Sequence, residues 1–227
     1  MVLRALALLG LVLLLGGCEE PPEPPGVPAP GDFNAHVLVV ADSYPTDGTH
    51  RYHWPKRGTW IGNTRRLLYD GQVLAEGDPQ GRCHCSGLTF EVFLRAWERW
   101  AQASGRPYRI PGLDLAGVKR FQRAWFGAGG DRATLHTALT ERDLGRRVTD
   151  LAKARPGDFV QLWRHSGSGH SVVFRGWERD EEGRILGIRY WSTQSSTNGI
   201  GERTERFGED GSTVKRDELY VVRVGRP

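Results

Sequence analysis

Ser86 to Gly105 reads SGLTFEVFLRAWERWAQASG, and this stretch decides the fold. Leu88, Val92, Phe93, Ala96, Trp97 and Trp100 recur at steps of three and four, which puts them on one face of an α-helix. Gly105 and Pro107 end that helix. A second helix is predicted near Leu115–Phe126, with Val118, Phe121 and Trp125 on one side, and a third over Asp131–Gly145 or part of it. Arg155-Pro156-Gly157-Asp158 is a turn signal, and beyond it the apolar period becomes two or continuous. Strands are predicted at Phe159–Arg164, His170–Glu178, Arg184–Thr193 and Leu219–Val224, with Asp180-Glu181-Glu182-Gly183 turning the middle pair into a hairpin. Helices followed by an antiparallel sheet make an α+β domain.

Upstream of the long helix the pattern is weaker. HVLVVA at residues 36–41 reads as a short buried strand, and residues 42–82 read as irregular. Leu67-Leu68-Tyr69 is the one apolar cluster late in that stretch, either a strand or a helical turn. No internal repeat is visible. Gly199-Ile200-Gly201 reads as a turn.

The first residues speak to compartment. Arg4 is the only charge before an apolar run that ends at Gly16-Gly17-Cys18. The run falls short of the roughly 20 apolar residues of a membrane span, so a secretory signal is expected rather than an anchor helix. Leu15-Gly16-Gly17-Cys18 resembles the bacterial lipobox, which implies residues 1–17 as a lipoprotein signal peptide and Cys18 as the lipidated residue. Glu19 and Glu20 follow it, and by resemblance to Gram-negative sorting they favour the periplasmic face of the outer membrane. EEPPEPPGVPAPG at residues 19–31 cannot form helix or sheet, because proline fixes φ and donates no hydrogen bond. Residues 18–32 are therefore a tether, either extended over roughly 40 Å or a linker with no length requirement. The folded domain is expected over residues 33–227, a length that suits one core.

Eight tryptophans and eight phenylalanines can fill that core. The net charge of +4 suits an acidic polymer such as cell wall, but the charges are scattered and no nucleic-acid motif appears. The three cysteines are Cys18, Cys83 and Cys85. A disulfide between Cys83 and Cys85 would be strained. An exported chain then keeps a free thiol in an oxidising space, which suggests that the thiol is used.

Cys85 stands directly before the long helix. Unpaired amides and the dipole at a helix N-terminus favour an anion, so its thiol is expected to titrate below the usual value of about 8.5, toward neutrality. The same amides can hold an oxyanion. His170, in GSGHSVVFRGW at a strand start, is the candidate base. Folding the hairpin about residues 181–182 sets His170 opposite residues 192–194, which makes Gln194 the candidate orienting residue and Ser192 the reserve. Trp60, Tyr69 and Ser86 are candidate substrate contacts. Trp54 and Asn63-Thr64-Arg65 are further groove candidates, and Arg203 and Arg206 read as solvated charges, with a carboxylate partner as the alternative.

Cys85-Ser86-Gly87-Leu88, Pro156-Gly157-Asp158 ahead of a strand, and Gly169-His170 opening the next one together resemble the NlpC/P60 superfamily of papain-like cysteine peptidases. The resemblance spans residues 83–194. It implies a papain-like fold with helices packed on an antiparallel sheet, Cys85 as nucleophile, His170 as base and a polar third residue on the following strand. It implies cleavage of an amide bond in peptidoglycan stem peptides through a thioacyl-enzyme, with no metal and no organic cofactor. The partners implied are wall peptides and, through the N-terminal lipid, a membrane, but no nucleic acid. The chain departs from the family pattern at His84, where Asp is usual, and in the longer spacing from Cys85 to His170. Other readings remain: a buried structural thiol, a metal site at Cys83-His84-Cys85 with His170, a degenerate wall-binding lipoprotein, or an amidase or acyltransferase on another amide.

Overall fold

The computed structural model describes residues 31–55 and 62–225. The expected signal peptide at residues 1–17, Cys18, most of the expected tether and Trp60 lie outside the described residues. The fold is α+β. Helices α1 (Phe33–Asp42), α2 (Cys85–Ala103), α3 (Leu115–Trp125) and α4 (Leu135–Thr140) pack on an antiparallel sheet. Strands β1 (Leu67–Tyr69) and β2 (Gln72–Ala75) form a separate hairpin. The main sheet holds β3 (Gly145–Arg147), β4 (Phe159–Arg164), β5 (Gly169–Arg179), β6 (Ile185–Gln194), β7 (Gly199–Arg206) and β8 (Val214–Val224), in the order β3-β8-β4-β5-β6-β7.

Side chains alternate across a strand, and here both faces are covered. Phe159, Val173, Trp191 and Val222 face the helices. Val160, Leu162, Val172, Tyr190 and Val221 form a second core on the opposite face. On the helix side, Phe93 of α2 meets Trp125 of α3 at 5.3 Å between ring centroids, and Trp125 meets Phe159 of β4 at 5.2 Å. That aromatic column fixes the long helix over the sheet.

Two expectations are corrected. Residues 36–41 are helical, not a strand. Asp32 caps α1 through a bond from the Asn34 N–H at 3.1 Å, and Phe33, Val37, Val40 and Ala41 form its buried face. Read from residue 36 alone, the run hides a helical spacing that begins at Phe33. The third helix, Leu135–Thr140, falls inside the expected Asp131–Gly145, and Gly145 itself belongs to β3. Gly199-Ile200-Gly201 is no turn but the start of β7, paired along its length with β6. Its sequence GERTER hides an edge strand behind charge. Leu67–Tyr69 resolves as a strand, and β8 starts earlier than expected, at Val214.

Asn63-Thr64-Arg65 also has a structural place. Buried Glu91 of α2 accepts from the Thr64 N–H at 2.7 Å, the Thr64 hydroxyl at 2.8 Å and the Tyr44 hydroxyl at 2.7 Å. Arg65 completes the charge pair at 3.3 Å. This network ties the irregular segment to the helix.

Candidate active site

His84 determines where α2 begins. Its Nδ1 accepts from the Gly87 N–H at 3.1 Å, and its carbonyl accepts from the Leu88 N–H at 2.9 Å. Gly62, at a φ of 81°, covers the ring so closely that a Cβ there would sit 2.1 Å from it. Cys85 is thus the first helical residue, at the amide-rich end. Burial nevertheless pushes its thiol up, against hydrogen bonds from the Ser171 N–H and from Ser86. The expected lowering is therefore corrected: burial disfavours the thiolate by more than its hydrogen bonds and the Arg164 charge favour it. Cys83 is fully buried, and burial takes its thiol to about 12.

His170 sits on β5 opposite Leu162 of β4. Strand alternation then sends its ring to the second-core face, where it meets Tyr190 edge-on at 5.5 Å. Ser171 is the residue that faces α2: its hydroxyl lies 3.4 Å from that of Ser86. Among the described residues, no hydrogen bond joins Cys85 to His170, and the buried Nε2 of His170 has no partner. Burial first, then the Arg164 charge, take the imidazole down to about 3. Thiol and imidazole are both neutral at ordinary pH.

Behind the imidazole lies a cluster that has no sequence signal, because its members are far apart in the chain. Glu205 of β7 accepts from Arg164 Nε and Nη2, both at 2.7 Å, and from the Tyr190 hydroxyl at 2.6 Å. Gln194 Oε1 lies 3.0 Å from the same hydroxyl. A phenol has one proton, and a carboxylate can only accept it. The Gln194 amide must therefore be turned so that its N–H faces Tyr190. No hydrogen bond links Gln194 to His170 among the described residues. Ser192 donates to the Ser171 carbonyl at 2.8 Å.

Cys85 and His170 both border one cavity of about 370 Å³, whose aromatic walls are Tyr52, Trp54, Phe126 and Trp163. Ser86, Gln161 and Ser171 supply polar groups. A larger cavity of about 530 Å³, near His136, Arg147 and Tyr220, has no thiol on its walls. Tyr69 does not border the site. It is a core residue whose hydroxyl donates to the Leu113 carbonyl and accepts from the Ile110 N–H, both at 2.8 Å. Arg203 and Arg206 meet carboxylates of the chain itself, Glu205 at 3.2 Å and Glu178 at 2.7 Å.

Two imidazoles make the fold acid-sensitive. Burial lowers His84 to about 4, and its capping role requires an unprotonated Nδ1. A depressed folded pKa means that the unfolded chain takes the proton first. The stabilisation is complete above an unfolded pKa of about 6.5 and is lost as pH falls through the folded values. Between pH 7 and pH 4, His84 and His170 are each expected to withdraw about 3 kcal/mol. The urea midpoint should fall steeply over that interval, and His84→Asn, which keeps a cap, should flatten the fall by about half. A midpoint constant down to pH 4 would contradict this. No family model, curated protein or solved structure matches the chain.

Proposed function

We propose that the chain is a cell-wall cysteine hydrolase of papain-like, NlpC/P60 type that cleaves an amide bond in peptidoglycan stem peptides. One observation carries the reading: Cys85, at the amide end of α2, shares with His170 an aromatic-walled cavity large enough for a peptide side chain. Cys85 attacks the carbonyl carbon, helix amides hold the oxyanion, and His170 takes the thiol proton and returns it to the leaving amine. Catalytic hydrogen bonds are often long before substrate binds, so a shared cavity without a direct bond is compatible with this cycle. A lipid on Cys18 and the proline-rich tether would hold the enzyme in the envelope, at the periplasmic face of the outer membrane, within reach of wall. Incubating the protein with purified peptidoglycan and weighing the released fragments tests the reading. Fragments ending at a single amide position are expected, and an unchanged sacculus would overturn it.

A second reading, a wall-binding lipoprotein that does not cut, is favoured by the dry, neutral state of both groups and by the opposite facing of His170 and Ser171. Alkylation of Cys85 by iodoacetamide separates the two. A hydrolase gives a rate that drops about tenfold or more in His170→Ala. A binder gives a slow rate indifferent to His170 that climbs only above the ordinary thiol range.

A further inference from the structure

Gln161 of β4 faces the same side of the sheet as Ser171, its register partner, and borders the same cavity as Cys85. Its Oε1 accepts two hydroxyl bonds, from Ser171 at 2.7 Å and from Thr134 at 2.9 Å. Its Nε2 lies 3.3 Å from the Leu162 carbonyl, which can only accept. These three contacts leave the amide one orientation, with nitrogen and oxygen unambiguous. One N–H goes to Leu162, and the other has no acceptor among the described residues. The amide is almost wholly buried yet borders the cavity.

Two further features hold it there. Thr134 has a φ of 44° and a ψ of −110°, a region that a β-branched residue rarely enters. Strain of this kind persists only where surrounding structure imposes it, and it clusters at working sites. Here it aims the Thr134 hydroxyl at Gln161. Gly169 has an ordinary φ, so its glycine answers to space. A Cβ there would lie 2.9 Å from Gln161 Nε2 and 2.8 Å from the Trp163 ring. The bare backbone at Gly169 leaves the amide its place beside the cavity.

We propose that the free N–H of Gln161 is a catalytic hydrogen-bond donor to the substrate carbonyl oxygen as it becomes an oxyanion on Cys85. This inference rests on Cys85 acting as the nucleophile. In the step, Sγ bonds to the carbonyl carbon, the π pair moves onto oxygen, and the thiol proton passes to His170. Collapse expels the leaving group, which takes that proton, and leaves a thioester that water hydrolyses. The donor is held in place before the charge forms, so no reorganisation is needed at the moment of attack. No charged side chain among the described residues borders the cavity, so none competes with the donor for the developing charge.

The test compares two reactions of the same thiol. Acylation by p-nitrophenyl acetate passes through an oxyanion, whereas alkylation by iodoacetamide does not. Gln161→Met, close in size and without a donor, is expected to slow acylation about 100-fold or more and to leave alkylation within about threefold. Gln161→Glu keeps the acceptor oxygen for Thr134 and Ser171 and guards against a folding defect. Its acylation should fall at least as far at pH 8. Acylation within about threefold of wild type in either folded variant overturns the proposal, and so does a parallel loss of both rates. If wild-type Cys85 takes neither reagent, the thiol reading itself has failed, and that outcome is distinct from a failure of Gln161.

Discussion

Replacing Cys85 with alanine is expected to stop the release of wall fragments while the fold stays intact. The loss should be on the order of 10⁴-fold or more, as when a nucleophile that acts in a unit with its base is removed. No other described side chain at the cavity can form the same covalent intermediate. Ser86 and Ser171 are bonded to each other and share the polar strip with Gln161. Cys83 is sealed in the core with its thiol held protonated. The structural cost is small, because the sulfur's contacts are weak ones, a 3.9 Å approach to the Ser86 hydroxyl and backbone N–H groups of Ser86 and Ser171. A thermal transition within a few degrees of wild type, recorded beside the digestion, separates lost chemistry from lost structure. Turnover within about tenfold of wild type would remove Cys85 from the mechanism.

The largest effect on stability is expected at Asp158, at the turn that opens the sheet. Its carboxylate is fully buried. It accepts from Arg223 Nε and Nη2, each at 2.8 Å, from Asn34 Nδ2 at 2.8 Å and from the Arg155 N–H at 2.8 Å. One side chain thus joins α1, the turn before β4, and β8. Asp158→Ala leaves the Arg223 guanidinium buried without its anion, a change that costs roughly 3–5 kcal/mol. For a domain of this size that is a fall of roughly 10–15 °C in melting temperature. Arg223→Met added to Asp158→Ala should recover part of the loss, because the stranded charge goes with it. A single variant that melts within 2–3 °C of wild type, or about 1 kcal/mol, would show that the pair adds little.

Local periodicity made much of this architecture legible. The α2 stripe, the α3 stripe and the central strands are visible because each buries residues at its own period, and the hairpin between β5 and β6 follows from its turn residues. Elements whose form depends on distant partners were not visible. α1 takes its helical form from a cap at Asp32 and a face laid against α2. β7 is a strand because β6 pairs with it, not because of its composition. At the site, the sequence placed Cys85 at a helix start and brought it to one cavity with His170. It could not weigh burial against the helix end, and so it set the thiol on the wrong side of its usual value. It also missed which of His170 and Ser171 turns toward the helix, since one step of register decides that. Thr134, Gln161 and Glu205 became visible only in three dimensions. Each has at least one partner more than 25 positions away.

Because β4 and β5 are covered on both faces, their peptide groups are shielded from solvent as long as either layer stays in place. Their amide protons should trade with deuterium only when the entire domain comes apart, which makes those two strands the kinetic floor of the molecule. The β1–β2 hairpin stands outside the main sheet and turns Leu68 and Val73 to water, but Leu67, Tyr69 and Leu74 pack into the shared core, so its amides should exchange faster than that floor only at the outward-facing positions.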